Sequence, residues 1–198
     1  MNKKNKFKER IFMVLFMTGI SAFFVSAISV VHLSTKETVR RNENLFLKRS
    51  VLYTAGIPFE KDPLEIEKVF NKKVTVSQND GLPKYTVHSE KGTIKIYTVQ
   101  GKGLWGEIIA HVGLFKDMKM SGISFIKQSE TPGLGARIDE KWFKEQFRGK
   151  KGPFSTVPEG STSQINEFDA VTGATITTKA VEDILNTTYK KLSKEYRE

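Results

Sequence analysis

Between Arg10 and Lys36 the chain carries no formally charged side chain, His32 being the one titratable group, and the run IFMVLFMTGISAFFVSAISVV fills most of that interval. About 20 consecutive apolar residues suffice to cross the hydrocarbon core of a bilayer as a helix. A segment apolar on all faces has no polar side to offer water, so a soluble helix is a poor home for it. Val25-Ser26-Ala27 would pass as a small-residue cleavage site, but Ile28, Val30, Val31 and Leu33 carry the run past the usual length of a signal peptide. The reading is therefore a retained anchor over 11–33, preceded by a cytoplasmic tail over 1–10 and followed by one extracytoplasmic domain over 34–198. The tail holds Lys3, Lys4, Lys6, Lys8 and Arg10 against Glu9. By the positive-inside rule this keeps the N-terminus in the cytoplasm and sends the rest outside.

Of the net charge of +10, the part beyond the tail is +6 and is scattered among acids. Without a basic stripe interleaved with aromatics it reads as a solvated surface with some attraction to anionic membrane lipid, not as a nucleic-acid site. The chain has no cysteine. Disulfides, thiolate-bound clusters, c-type haem and a catalytic thiol are excluded, so electron chemistry would need a cofactor held by other means. His32, His88 and His111 stand apart, and no metal site is expected.

The soluble part predicts an α+β fold, a mainly antiparallel sheet with packed helices. A helix over 35–55 has a loose apolar face of Val39, Phe46, Val51, Leu52 and Ala55, with Gly56 as its C-cap. Asp62-Pro63 opens a second helix to about Asn71. Strands are expected at Val74–Val76, Tyr85–Val87, Thr93–Val99, Glu107–Leu114 and Met118–Ile126, with turns at Asn79-Asp80-Gly81 and Lys91-Gly92. Asp139 would cap a short packing helix bearing Trp142, Phe143 and Phe147. Thr177 or Thr178 would cap a last helix lined by Val181, Ile184, Leu185 and Leu192.

Chemistry is concentrated in Asp169-Ala170-Val171-Thr172-Gly173-Ala174-Thr175. Small residues there feed a helix N-terminus, whose free N–H groups and positive dipole end suit a phosphate. Thr175 presents a hydroxyl at that place, and Lys179 can add charge. Read from the residues alone, Asp169 and the threonines are turn and cap residues of the kind that precede many helices, and that reading comes first.

This segment resembles the Asp-x-x-Ser/Thr-Gly-Ala-Thr motif of the FMN-binding domain family, whose members include the G subunit of the Rnf complex and the C subunit of the sodium-pumping NADH:quinone reductase. Glu130-Thr131-Pro132-Gly133-Leu134-Gly135, Gly103-Leu104-Trp105-Gly106 and Ala55-Gly56-Ile57 are similar to family segments in the same order. The resemblance implies FMN joined through its phosphate to Thr175. It also implies Trp105 and Leu134 beside the ring, with Glu130, Thr131, Gly133, Gly135, Asp169, Thr172, Gly173 and Ala174 around the cofactor. Trp105 is equally a core candidate, and Glu130 and Thr131 can cap their loop instead. The resemblance further implies a magnesium-dependent flavin transferase as maturation partner, other membrane subunits of a redox complex as working partners, and electron transfer as the activity. An Rnf-type complex is the leading expectation. The quinone reductase, a stand-alone exported flavoprotein, and a membrane-anchored binding module without flavin are the alternatives. Ion translocation would belong to partner subunits, because the apolar helix carries no carboxylate.

Overall fold

The computed structural model describes residues 3–79, 81–90 and 92–195. Asp80 and Lys91, each part of an expected turn, lie outside the described residues. Helix α1 runs Lys3–Ala55, so the apolar segment and the helix expected after it are continuous. The chain divides into two units, 1–44 and 45–198. The first is helical, and its apolar side chains from Phe7 to Leu33 stand exposed. It is long and apolar enough to cross a membrane.

The second unit opens with the last turns of α1 and then α2 (Pro63–Lys73). Asp62 accepts a hydrogen bond from Leu64 N at 2.8 Å, as an N-cap should, and Pro63 occupies a position where its missing N–H costs nothing. Five strands follow: β1 (Val74–Asn79), β2 (Leu82–Ser89), β3 (Gly92–Lys102), β4 (Glu107–Leu114) and β5 (Met120–Lys127). They form an antiparallel meander in that order. A 3-10 helix (Gly135–Asp139), α3 (Lys141–Glu145), a short parallel pair β6 (Ser155–Val157) and β7 (Glu167–Asp169), and α4 (Thr175–Glu195) complete it.

The sheet is covered on both faces, and the period-two alternation of its strands sorts side chains between two cores. On β3, Ile94 and Ile96 face α1 and α2, while Tyr97 and Val99 face α4. On β4, Ile108, Ala110, Val112 and Leu114 enter the α3–α4 core, and His111 and Gly113 face α1. Two close approaches set the layers. A Cβ on Gly101 would overlap the Ile184 side chain of α4. One on Gly122, the cross-strand partner of Gly113, would fall 2.8 Å from the Thr54 carbonyl of α1. Arg148 closes the α1 side by donating to the Tyr53 carbonyl at 2.8 Å, to the Ser121 carbonyl and to Glu145 at 2.7 Å.

Several expectations are corrected. Met118 is not in a strand. It occupies a tight turn at φ 66°, and β5 begins at Met120. Asp139 does not cap α3. It ends the 3-10 helix, where its carboxylate accepts from Gln128 at 3.2 Å, and Glu140 precedes α3. Phe147 lies beyond α3 but is fully buried. Val39 and Phe46 are exposed, and Leu45 is the buried residue of that stretch. Thr177 and Thr178 sit inside the first turn of α4, not before it.

His111 is structural, as expected. Its Nδ1 lies 2.8 Å from Ser50 Oγ and its ring meets Tyr85 edge-on, with 1% of the residue exposed. Burial pushes its pKa down to about 4. The unfolded chain takes up this proton below an ordinary value of about 6.5 and the folded chain only near 4. Stability should therefore fall as pH drops through that window, by on the order of 3 kcal/mol. Urea unfolding at neutral pH and at about pH 4.5 checks this. A His111→Asn variant should lose that part of the pH dependence, and an unchanged dependence would contradict the assignment.

Candidate functional site

The segment singled out in the sequence is pinned from below. Phe168, on β7, is fully buried against Phe147 and Phe143, with ring centroids 4.8 and 6.0 Å away. Burying a phenylalanine contributes roughly 1.5–3 kcal/mol. Val171 and Ala174 are buried as well, while Thr172, Gly173, Thr175 and Ile176 face outwards. The Thr178 hydroxyl accepts from Val171 N at 3.1 Å and donates to the Ala174 carbonyl at 3.0 Å, which folds the turn onto the helix it precedes. Thr175 is thereby held exposed as the first residue of α4, beside N–H groups that no preceding turn can satisfy.

Two further loops meet this turn, and Glu130 joins them. Its carboxylate is buried, 4% exposed. Oε1 accepts from Leu104 N at 2.9 Å and Trp105 N at 3.1 Å, and Oε2 accepts from the buried Thr177 hydroxyl at 2.5 Å. The glycines around it are required by contact. A Cβ on Gly103 would lie 2.5 Å from Glu130 Oε1, and one on Gly135 would lie 2.6 Å from Thr177 Oγ1 and 2.9 Å from Glu130 Cβ. Gly133 turns the second loop at φ 74°, and the Thr131 carbonyl accepts from Leu134 N and Ala136 N, both at 3.1 Å. Gly173, at φ 80°, lies under Leu134, whose Cδ2 would be 3.1 Å from a Cβ there.

The outcome is a set of large apolar side chains left in water around Thr175: Trp105 is 69% exposed, Ile176 61%, Leu104 46% and Leu134 44%. Trp105 is therefore not a core residue. A cluster of this kind marks a ligand or partner surface. Such a surface suits a flat apolar group, and a helix N-terminus suits a negative charge.

Other expected site residues take different places. Asp169 does not cap α4. Its carboxylate accepts from Thr162 N at 3.0 Å and Thr162 Oγ1 at 2.5 Å and fastens the loop before β7. Partial burial raises its pKa, but these bonds and those from Gly160 and Ser161 N–H outweigh it and leave it low. The Thr172 hydroxyl donates to Glu159 at 2.5 Å, and that bond holds the Glu159 carboxyl below its usual range. Lys179 turns along α4 to Glu182 and to Asp183 at 3.9 Å, so its charge is not directed at the helix start.

The sequence offers Thr177 and Thr178 only as caps, not as partners of Glu130 and of the Val171 N–H, and it does not single out Arg137. Arg137 lies 3.8 Å from Glu159 and 3.5 Å from Glu140, with its guanidinium over the Trp142 ring at 5.4 Å. Its position two residues after Gly135 was the available signal. Among the described residues no group of three His, Asp or Glu side chains could hold a metal ion.

Known proteins share these segments. Residues 103–190, which hold all three loops, match the FMN-binding domain. The G subunit of the Na(+)-translocating ferredoxin:NAD(+) oxidoreductase complex of Acetobacterium woodii is 32% identical over 198 residues, spanning 91% of this chain and 94% of that protein. The C subunit of the Na(+)-translocating NADH-quinone reductase of Vibrio alginolyticus is 35% identical over 96 residues, 44% of this chain and 38% of that one. The crystal structure of the corresponding C subunit from Parabacteroides distasonis superposes with a TM-score of 0.65 at 22% identity. It covers 77% of this chain and 92% of that one, a likeness of fold. With a relative similar along nearly its whole length and the domain match spanning every loop of the site, the chain belongs to the FMN-binding domain family.

Proposed function

We propose that this chain is a membrane-anchored electron-transfer subunit of an Rnf-type ion-translocating ferredoxin:NAD oxidoreductase, with FMN esterified through its phosphate to Thr175. One observation carries the attachment: Thr175 is exposed at the first position of α4, where the loops bearing the exposed Leu104, Trp105 and Leu134 meet the helix start beside the exposed Ile176. Similarity to the Acetobacterium woodii G subunit along 91% of the chain supports the complex type. The Gly103-Leu104-Trp105-Gly106 segment and the match to the Vibrio C subunit support the NADH:quinone reductase as second reading.

The residues fit the cofactor. The first N–H groups of α4 and its dipole receive the phosphate charge. Trp105, Leu104, Leu134 and Ile176 supply apolar surface to a flavin ring, and Glu130 holds the tryptophan loop against the helix. When bound, FMN would supply one- and two-electron chemistry. A threonine hydroxyl is a weak nucleophile near neutral pH, so its esterification needs an activated donor and an enzyme. In the expected transfer from FAD, Thr175 Oγ bonds to the FMN phosphorus and loses its proton, the anhydride bond breaks, and AMP leaves.

The basic tail puts the flavin domain outside the cytoplasm, with anionic lipid at the anchor and a flavin transferase as maturation partner. A reporter fused to the C-terminus and found active only in the cytoplasm would overturn that orientation. The full chain, co-expressed with a flavin transferase and denatured, should give a fluorescent flavin band at its own gel position. A dark band beside a bright flavinylated control would refute covalent attachment.

A further inference from the structure

Away from the three loops, the second unit carries a furrow along the β4–β5 turn. It consists of three hollows, of about 680, 540 and 700 Å³. The first and second share Phe115, and the second and third share Lys116 and Asp117, so they adjoin around the turn, the first beside the end of α1 and the third beside α4. The floor is apolar and firmly held. Met118 and Met120 are buried, and Tyr189 packs edge-on against Phe154 at 5.7 Å while its hydroxyl donates to the Met118 carbonyl at 2.7 Å.

The polar lining is mostly spent on the fold. Asn186 uses its amide on Phe154 N (2.6 Å) and Phe154 O (2.9 Å), and Ser193 donates to the Lys190 carbonyl at 3.0 Å. Arg148 is committed to carbonyls and Glu145. Of the two acids, Asp117 accepts from Lys119 N at 3.1 Å and lies 3.3 Å from Lys119 Nζ, and Glu90 is at the far end. What remains for a ligand is Lys73, Lys116, Lys151 and Lys190. Among the described residues none of these four is in an ion pair; Lys151 only adds to the field at Asp117. Four uncommitted ammonium groups above an apolar floor select an anion attached to something apolar. Hollows that adjoin around one turn suit a chain that follows it better than a single ion. A bilayer, being flat, meets convex basic faces more readily than a concave furrow.

We propose that this furrow docks an extended acidic segment of a partner polypeptide, its carboxylates on Lys116, Lys151 and Lys190 and its apolar side chains on the Met118–Tyr189 floor. Such a contact works through charge complementarity and weakens with salt. It does not depend on the flavin.

The test uses the full chain in neutral detergent and a fluorescein-labelled peptide of repeating Glu-Ser-Leu units, read by polarisation. The Lys116→Gln/Lys151→Gln/Lys190→Gln variant should bind about tenfold more weakly or worse. Lys68→Gln/Lys72→Gln/Lys127→Gln, which removes equal charge elsewhere, should change binding less than about twofold. Equal loss in both variants would reduce the effect to net charge and overturn the proposal. So would no binding by the parent, or binding of inorganic phosphate or phosphatidylglycerol vesicles that depends on the furrow lysines while the peptide does not bind. Matching thermal unfolding midpoints for parent and variants confirm that each is folded.

Discussion

Replacing Thr175 with valine is expected to abolish covalent flavin loading outright and leave the fold as it was. Valine keeps the β-branched shape and loses only the hydroxyl. Thr175 is exposed and makes no hydrogen bond that organises the turn; that task falls to Thr178 and Ala174. Surface substitutions away from such features change stability by about 0.5 kcal/mol or less. The unfolding midpoint of Thr175→Val should therefore match the parent while its flavin fluorescence on a denaturing gel vanishes. Thr175→Ser retains a nucleophilic oxygen and should keep part of the loading. Full fluorescence in the valine variant would mean that another hydroxyl carries the ester. Thr172 and Thr177 would then be examined, although Thr177 is buried and already bonded to Glu130.

The second large effect is expected at Glu130. Truncation to alanine removes the acceptor for two backbone N–H groups and one buried hydroxyl at once. Each bond to a charged acceptor contributes about 1.5–3 kcal/mol, and donors left unsatisfied add their own desolvation cost. A loss of about 3–5 kcal/mol in unfolding free energy follows, within the range for breaking a buried charged network. Glu130→Gln preserves shape and one acceptor oxygen but turns an NH2 group towards a donor, so about 1–2 kcal/mol is expected. Because the same carboxylate ties Trp105 to α4, flavin loading should fall with stability. A double-mutant cycle with Thr177→Val should show the two side chains to be strongly coupled. Additive effects, or a loss in Glu130→Ala below about 1 kcal/mol, would remove Glu130 from its joining role.

Elements with a local cause were legible in the sequence. Asp62-Pro63 opens α2 because cap chemistry needs only neighbours. The alternation of Ile108, Ala110, Val112 and Leu114 marks the β4 face that enters the larger core. The face of α4 with Val181, Leu185 and Leu192 is buried as its helical period requires.

Features with a distant cause were not legible. The parallel pair β6–β7 has three residues on each side, too few for a period to declare itself, and it depends on Phe154 and Phe168 meeting Phe147. Arg148 reads as an ordinary basic residue because its partners are carbonyls of Tyr53 and Ser121, far away in the chain. The motif residues fared likewise. Thr175 stands out through its segment, but Glu130 acquires its role only when Gly103, Gly135 and Thr177 close around it. Proximity in sequence suggests Lys179 for a phosphate at the helix start, whereas i,i+3 and i,i+4 acids on its own helix hold it.

Peptide mapping by mass spectrometry reads the proposed bond between FMN and Thr175 at the residue itself. The full chain, matured with a flavin transferase and digested, should yield the peptide containing Thr175 heavier by one FMN less one water, with fragmentation placing the addition on Thr175. The unmodified peptide from a fully fluorescent preparation, or the addition placed on any other residue, would contradict the account.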